Sequence, residues 1–222
     1  MRLSIIVPAL NEAAAIGATL AALAPLRARG HEVLVADGGS EDGTQDIARA
    51  LADRVIVGAR GRARQMNAGA AAATGDALLF LHADTRLPPD ADLLIFNSLE
   101  GNSWGRFDVR IESVHPLLRV VAFAMNLRSR LTGIATGDQA IFVRRGAFAG
   151  FPEIALMEDV AFSKAMKRRG APAMLREKVT TSGRRWERGG VLRTMVLMWR
   201  LRLAFFFGAE PDELARRYAK RP

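Results

Sequence analysis

The sequence predicts an α/β fold built on a parallel sheet, and two observations lead to that prediction. In the first half of the chain, short apolar runs alternate with alanine-rich stretches of helical character. Strands separated by helices pair in parallel through right-handed crossovers. The run ALLFL at 77–81 is apolar at every position, which is typical of a strand buried on both faces.

The elements of the first half follow in order along the chain. We predict strands over 3–7, 32–37, 54–57 and 77–81. We predict helices over 12–29, 44–52 and 62–74. Asn11 and Thr44 are candidate caps for the first two helices, and Gly30 and Gly75 end the first and third.

The second half of the chain departs from this alternation. Segments 104–113 and 139–145 have the composition of strands outside a simple strand–helix repeat. Segment 157–170 predicts a helix with two acidic residues in its first turn and four basic residues in its last, the order that the helix dipole favours. We see no internal repeat and no low-complexity linker, and we predict a domain over 1–189 followed by a helical tail over 190–222.

The tail is apolar almost all round when it is placed on a helix. One stripe contains Leu192, Met195, Val196, Trp199, Leu203, Phe206 and Phe207, and the opposite side contains Leu197, Met198, Leu201 and Phe205. Arg193, Arg200 and Arg202 flank them, so the segment is too short and too charged to predict a membrane span. Two interpretations stay open: the helix packs into a core or partner, or it lies in a membrane interface.

Composition excludes several classes of function. The chain has no cysteine, which excludes disulfides, thiolate zinc sites and cysteine nucleophiles, and its three histidines are too scattered for a histidine-rich metal centre. The net charge is +9, and residues 184–222 hold ten Lys/Arg against four Asp/Glu. A basic excess confined to the tail disfavours nucleic-acid binding and suits anionic phospholipid or a phosphorylated substrate. The N-terminal segment lacks the pattern of a signal peptide, so we expect a cytoplasmic protein, peripheral on the inner face of a membrane if the tail binds lipid.

Polar segments follow three of the predicted strands: VPALNE, ADGGSEDGT and HADT. Because the carboxyl ends of parallel strands open at one edge of a sheet, Asn11, Glu12, Asp37 and Asp84 are expected to converge there. Arginines 60, 62 and 64 lie at or just before a helix start, where guanidinium groups and free backbone donors suit a diphosphate. Taken singly, each segment is more often a turn, a cap or a solvated face.

In their order, the segments SIIVPALNE, VLVADGGSEDGT, RARQMNAGAAAATGDALLFLHADT and MEDVAF resemble family 2 glycosyltransferases of the GT-A fold. Within that family they are similar to a small bacterial subfamily described as radical-SAM/selenodomain-associated transferases. The resemblance covers most of residues 3–186. It implies a Rossmann-like, three-layer fold with a mixed sheet, and an inverting, metal-assisted transfer of a sugar from a nucleotide-diphosphate donor to an unknown acceptor.

The resemblance also implies roles for matching positions. Those expected around the donor are Pro8, Ala9, Asn11, Glu12, Asp37, Arg64, Asn67, Ala83 and Asp84. Asp159 matches the catalytic base, with Glu158 beside it. Those expected near the acceptor or the donor phosphates are Asp138, Gln139, Arg184, Arg185 and Trp186. The glutamine that usually precedes the Arg-Trp pair is absent here.

Asp84 matches the last acid of the family's DxD motif and is the expected ligand of a divalent cation, Mg²⁺ or Mn²⁺. The first acid of that motif is His82 here. A hard cation held by carboxylate and phosphate oxygens stabilises a diphosphate leaving group. One protein carboxylate is enough when phosphate and water oxygens fill the other positions.

Two other functions remain open on the sequence. A nucleotidyltransferase would use a similar half-sheet, but its lysine-bearing, glycine-rich segment after the first strand is missing. A nucleotide-sugar-binding or membrane-associated regulator without turnover is the alternative from a different class. The presence of both Asp84 and Asp159 argues against a protein that has lost catalysis. His82, in place of the first acid of the DxD motif, keeps that alternative open. The hydrophobic, arginine-rich tail makes a lipid-linked acceptor a hypothesis.

Overall fold

The computed structural model describes residues 1–219, apart from the side chain of Arg185. The strands are β1 Leu3–Ala9, β2 Glu32–Asp37, β3 Arg54–Val57, β4 Ala77–Phe80, β5 Thr85–Arg86, β6 Trp104–Glu112, β7 Phe142–Arg144 and β8 Ala173–Ser182. The helices are α1 Ala13–Ala22, α2 Ala24–Ala28, α3 Thr44–Leu51, α4 Arg62–Ala72, α5 Ala91–Gly101, α6 Leu117–Thr132, α7 Glu158–Lys167, α8 Arg184–Gly189, α9 Val191–Phe206 and α10 Pro211–Ala219. Short 3-10 turns lie at Gly137–Gln139 and Arg145–Ala147.

These strands form a mixed sheet in the order β3-β2-β1-β4-β7-β6-β8-β5. β1 pairs in parallel with both β2 and β4, while β7 runs antiparallel to β4. The chain therefore builds outward from β1 to β3 and then returns to the other side of β1. Such a switch point leaves a crevice beyond the carboxyl ends of the strands, where α/β proteins bind ligands.

Helices cover both faces of the sheet, so the predicted α/β fold with a mixed sheet between two helical layers is confirmed. Ile5 and Val7 of β1 pack in the core that α1, α2, α3, α5 and α6 complete. Ile6, between them, points to the opposite core, where α4 and α7 contribute Met66 and Phe162. Successive side chains of a strand alternate between faces, so with a core on each face β1, β2 and β4 are buried at nearly every position.

Several element boundaries differ from the sequence prediction for local reasons. The predicted helix over 12–29 divides into α1 and α2 because Pro25, which lacks an N–H, starts a new first turn. The prediction that Asn11 caps a helix is wrong: its φ is 54° and its Oδ1 accepts a hydrogen bond from the Glu41 N–H at 3.0 Å. Thr44 is the first residue of α3, and Gly43, at φ 87°, takes the capping position.

The tail packs one side of α9 against the domain and leaves the other side exposed. Leu201, on the smaller predicted side, is buried together with Met157 and Leu214, and Leu197, Met198 and Phe205 pack partly against them. Most of the larger predicted stripe faces outward, with Trp199 at 65% and Phe206 at 72% exposure, whereas Met195 packs partly against the main core. Within residues 1–219, no helix is long and apolar enough to cross a bilayer.

Helix α4 lies close to β1 because Gly69 has no side chain. A Cβ at Gly69 would meet Cγ2 of Ile6 at 2.5 Å, and Ile6 is fully buried. We therefore expect Gly69→Ala to lower the free energy of unfolding by about 1–2 kcal/mol, because the overpacking outweighs the gain in helix propensity. Urea unfolding followed by circular dichroism measures the change.

Gly101→Ala is the matched control for this substitution. Gly101 also lies in a helix, and a Cβ there has no atom within 4 Å among the described residues. We expect this variant to unfold at the same urea concentration as the parent or at a higher one. A Gly69→Ala protein as stable as the Gly101→Ala protein would contradict the close contact of α4 with β1.

Candidate active site

A cavity of about 210 Å³ lies at the carboxyl edge of the sheet, and we call it the central cavity. Its walls bring together many of the residues that the sequence predicted. One wall comes from β1, β4 and their loops, with Pro8, Glu12, Ala83 and Asp84. The facing wall contains Asp138, Glu158 and Asp159, and Trp186 and residues of the tail close the space between the two walls.

The loops after β1 and β2 are fastened to each other by three side chains. The Asn11 N–H donates to Ser40 Oγ at 2.8 Å, and the Glu12 N–H donates to Thr44 Oγ1 at 2.8 Å. The Ala13 N–H donates to Asp42 Oδ2 at 3.0 Å. These bonds hold the start of α1 against the start of α3, and so they fix where Glu12 enters the central cavity.

Asp37 is engaged within its own loop. Its Oδ2 accepts bonds from the Gly39 and Ser40 N–H groups, each at 2.9 Å, and from Gln45 Nε2 at 2.8 Å. Burial opposes ionisation of this carboxyl, but the bonds from Ser40 and its neighbours outweigh it and lower the pKa of Asp37. The side chain is 1% exposed, and Oδ1 accepts one bond, from Ser40 Oγ.

Three predicted donor residues, in β1 and α4, make contacts outside the central cavity. Ala9 is buried, and its carbonyl accepts from Gln65 Nε2 at 2.5 Å. Arg64 pairs with exposed Glu153 at 3.2 Å. Asn67 exchanges two hydrogen bonds with the backbone of Phe151, at 2.8 and 2.9 Å. Among the described side chains, none of these three lines the central cavity.

Asp84 and Glu12 lie together on the donor wall with a guanidinium beside them. Arg184 Nη2 is 3.9 Å from Asp84 Oδ2 and 4.0 Å from Glu12 Oε2. Burial and then the negative charge of Asp84 raise the pKa of Glu12. The chain thus presents two nearby carboxylates and one cation, each of them partly exposed.

This arrangement bears on whether a divalent cation fits. Across residues 1–219, no three His, Cys, Asp or Glu side chains are grouped as a metal site. An ion held here would therefore depend on Asp84 and on oxygens brought by a ligand, as in sites where Mg²⁺ is shared between carboxylate and substrate phosphates. The residues fit such a shared site and do not fit a cage built by protein alone.

His82 contacts the opposite wall. Its Nδ1 is 3.3 Å from Asp138 Oδ1, and its Nε2 is buried without a hydrogen-bond partner among the described residues. Burial raises the pKa of Asp138, but the hydrogen bond from His82 outweighs that effect and lowers it. A Cβ at Gly137 would lie 2.5 Å from His82 Nε2, so the imidazole depends on glycine at that position.

Asp159 and Glu158 begin α7 and differ in their surroundings. Asp159 Oδ2 accepts from the Gly137 N–H at 2.9 Å, and Oδ1 accepts from the Val160 N–H at 2.7 Å. Glu158 is 3% exposed and lies 3.5 Å from Arg62 Nη1. Burial, followed by the charge of Asp159, raises the pKa of Glu158. Asp159 is the more accessible of the two carboxyl groups in the cavity.

The remaining predicted residues fall in different places. Gln139 is fully buried and completes a capping box with Thr136, so it shapes the 3-10 turn that carries Asp138. Trp186 lines the central cavity and packs on the main core. The side chain of Arg185 lies outside the described part of the structure.

Sequence reasoning assigned no site role to several residues of the cavity walls, Arg202 and Tyr218 among them. Arg202 and Tyr218 come from the tail, and nothing in their local sequence indicates that they reach the sheet edge. Arg62 was recognised as a basic residue at a helix start, but its pairing with Glu158 was not. A pair of this kind joins positions almost a hundred residues apart, and a single sequence carries no signal for it.

Comparisons with known proteins agree on the class of the chain. The model of the family described as "Glycosyl transferase family 2" matches residues 4–157. A PGL/p-HBAD biosynthesis glycosyltransferase of Mycobacterium tuberculosis, and one of Mycobacterium bovis, are each 42% identical over 91 residues. That match covers 38% of this chain and 36% of the relative, so the chain matches about a third of the length of these curated relatives.

Solved structures show the same fold at low sequence identity. TarS of S. aureus, crystallised as residues 1–349 with UDP-GlcNAc, has a TM-score of 0.65 at 20% identity and covers 82% of this chain and 58% of its own. Glucosyl-3-phosphoglycerate synthase of Mycobacterium tuberculosis, in complex with Mn²⁺, UDP and glucosyl-3-phosphoglycerate, has a TM-score of 0.56 at 20% identity and covers 81% and 70%. At such identities the likeness establishes the fold.

The raised pKa of Glu158 predicts how stability changes with pH. Because the folded protein holds the proton of this carboxyl above the ordinary pKa of 4.5, ionising Glu158 costs stability as pH rises from 4.5 through the folded pKa. We expect Glu158→Gln to gain free energy of unfolding relative to the parent over that window, and the difference to level off above it. Urea unfolding at pH 4.5–8 measures the difference.

Glu100→Gln is the control, because Glu100 is exposed on α5 and its removal changes the net charge equally. The difference between this control and the parent should stay nearly flat over the same window. If the free energy of unfolding of the parent instead rises relative to that of Glu158→Gln as pH rises, the attraction of Arg62 for the Glu158 carboxylate outweighs the effect of burial.

Proposed function

Since the chain belongs to glycosyl transferase family 2, we propose that this glycosyltransferase moves a sugar from a nucleoside-diphosphate donor to an acceptor hydroxyl with inversion at the anomeric carbon. The observation that carries the proposal is that two carboxylates from separate elements line one cavity, Asp84 after β4 and Asp159 at the start of α7; we assign the first to the donor and the second to the acceptor. We place the chain in the radical-SAM/selenodomain-associated subfamily on the sequence motifs given above.

The transfer step follows from these positions. The acceptor oxygen forms a bond to the anomeric carbon as the bond from that carbon to the diphosphate oxygen breaks, and the nucleoside diphosphate leaves with the electron pair. Asp159 takes the hydroxyl proton, and the Gly137 N–H holds its carboxylate in place at 2.9 Å. Attack from the acceptor wall, opposite the leaving group, inverts the anomeric centre.

The donor wall supports a nucleotide. Pro8, Glu12 and Asp84 line it, and the Arg184 guanidinium is close enough to face a diphosphate. Asp84 would hold a divalent cation together with donor oxygens, and such an ion stabilises the leaving diphosphate. TarS was crystallised with UDP-GlcNAc and the phosphoglycerate synthase with UDP and Mn²⁺, and these two proteins make uridine the base we propose.

We propose further that the acceptor is lipid-linked and that the protein works at the inner face of a membrane. Two neighbouring helices, α6 and α9, expose large apolar side chains side by side, among them Phe123, Leu131, Trp199 and Phe206. The basic excess of residues 184–222 would attract such a surface to anionic lipid.

The donor proposal predicts a nucleotide-specific thermal shift. UDP at a hundred times its dissociation constant should stabilise the protein by about 2.7 kcal/mol, and this stabilisation should require Mg²⁺ or Mn²⁺. Asp84→Asn should lose the part that depends on the ion. Differential scanning fluorimetry with UDP, GDP, CDP, dTDP and ADP, each with and without the ion, measures both effects.

Asp46→Asn is the matched control, because Asp46 is exposed on α3, away from the cavity, and the charge change is the same. It should shift as the parent does. An equal shift without the ion, or an Asp84→Asn protein that keeps its ion dependence, would exclude Asp84 as the metal ligand. If none of the five nucleotides stabilises the parent, the donor proposal is wrong.

The role of Asp159 predicts a separation of binding from turnover. Asp159→Asn should lower the rate of nucleoside diphosphate release by on the order of 10²–10⁴, with a lipid extract as the source of acceptor, while the nucleotide thermal shift stays. Asp46→Asn again serves as the control. Turnover at the parent rate in Asp159→Asn would remove the general-base role, and no turnover in the parent would favour the regulator without catalysis.

A further inference from the structure

A second cavity, of about 330 Å³, lies between α6 and α9 and borders the central cavity. We call it the tail groove. Its apolar walls contain Val121, Met125, Met195, Met198, Trp186 and Trp199. Asp138, Trp186, Met198 and Arg202 line both spaces, so the groove leads from the acceptor wall of the central cavity to the exposed apolar surface of the tail.

Two arginines with unsatisfied donors line this groove. Nε and Nη2 of Arg128 and Nε of Arg202 are buried without a hydrogen-bond partner among the described residues. Arg128 Nη1 donates to the Ile134 carbonyl at 3.3 Å. Within residues 1–219, neither guanidinium forms an ion pair, although most buried arginines have one.

The electrostatics of this pair are unfavourable in the protein as it stands. Burial, and then the positive charge of Arg202, lowers the pKa of Arg128 to about 10. The negative charge of Asp159 offsets part of this effect, but two like charges with several unpaired donors in a partly desolvated groove still cost stability. An anion placed between them would satisfy the free donors and relieve the repulsion, and guanidinium forks match the oxygens of a phosphate.

We infer that Arg128 and Arg202 bind the phosphate of an acceptor whose hydrocarbon chain lies in the tail groove. This inference rests on the proposed function and names the substrate class of the same site: a phosphorylated lipid. The donor phosphates have their own proposed partner, because Arg184 lies 3.9 Å from Asp84, whereas Arg128 does not line the central cavity. The hydroxyl that receives the sugar would lie on the Asp159 side of this phosphate.

The apolar walls select the occupant of the groove. A free phosphate would leave them in contact with water, whereas a hydrocarbon chain buries them at roughly 25 cal/mol per Å². Trp199, at the outer end, is 65% exposed beside other apolar side chains of α9. A chain that leaves the groove there continues onto the surface that we propose lies against a membrane.

Dodecyl phosphate with a bromine on its last carbon tests the inference through tryptophan fluorescence. Trp186 and Trp199 line the groove, whereas Trp104 is fully buried in a core on the other side of the sheet. We expect quenching, at concentrations below micelle formation, with an affinity roughly tenfold or more above that for brominated dodecanol, because charge-assisted hydrogen bonds distinguish the two ligands. Inorganic phosphate should compete weakly.

The arginine variants make the test specific. Arg128→Met and Arg202→Met should each lower the affinity for brominated dodecyl phosphate to that for brominated dodecanol. Arg193→Met, on the exposed part of the same helix as Arg202, should keep the difference between the two affinities. The melting temperature of Arg128→Met without ligand should not fall, because burial and the charge of Arg202 disfavour the guanidinium of Arg128. If one variant fails to fold, the other gives the same comparison.

Each remaining outcome decides against the inference. Equal affinity for the alcohol and the phosphate would remove the phosphate site, and inorganic phosphate that competes as strongly as the amphiphile would remove the hydrocarbon chain. Vesicles of phosphatidylglycerol that compete equally well in the parent and in Arg128→Met would show attraction to a charged surface alone. No quenching at all would exclude the groove.

Nucleotide binding separates this inference from the proposed function. A protein that is stabilised by UDP with Mn²⁺ but does not bind dodecyl phosphate keeps the donor proposal and loses the acceptor class. A protein that binds dodecyl phosphate through Arg128 and Arg202 but is stabilised by none of the nucleotides keeps the lipid phosphate site and loses the transferase mechanism proposed above.

Discussion

The parallel pairing of β1 with strands on both sides is the constraint on which the rest of the site depends. Ala9 of β1 is in register with Asp37 of β2, and Ile6 is in register with Phe80 of β4. The loops that follow these strands therefore leave the sheet at the same edge, and Glu12 meets Asp84 there. A slip of one residue would exchange the two faces of a strand, so the two cores also fix this register.

The acceptor wall depends on the opposite kind of pairing. β7 runs antiparallel to β4, with Leu79 opposite Phe142, so the residues before β7 arrive where β4 ends. This is why Asp138 comes within 3.3 Å of His82. The Gly137 N–H in the same turn then holds Asp159. The sheet thus supplies both walls of the cavity, and β4 is the strand that the two walls share.

The tail completes the charge balance of the site. Carboxylates dominate both walls, and the cations that face them come from distant parts of the chain: Arg62 from α4, Arg184 from α8 and Arg202 from α9. α9 is fixed by packing of Leu201 with Met157 and Leu214, next to the residues that begin α7. Apolar contacts of the tail therefore position a guanidinium beside the candidate catalytic acids, and the tail belongs to the site.

The sequence by itself determined the half of the fold that is local. Short apolar runs indicated β2 and β3. Polar residues after the strands indicated that Glu12 and Asp84 converge, because the carboxyl ends of parallel strands lie at one edge of the sheet. The end of β2 indicated Asp37 as a site residue, and the family resemblance implied Asn67 and Gln139. In the structure Asp37 and Gln139 bond within their own turns, and Asn67 bonds the backbone of Phe151. Side chains at a strand end serve a turn or a ligand with the same residue types, so sequence does not distinguish the two uses.

Only the tertiary structure decided which side of the tail is buried and what it covers. A helix that is apolar all round has no periodicity that selects a face, and here the smaller side packs while the larger stripe is exposed. The contact of His82 with Asp138 and the neighbouring positions of Arg128 and Arg202 likewise join residues from separate elements. Such contacts follow from the order of strands in the sheet and from packing across it, and the local sequence indicates neither.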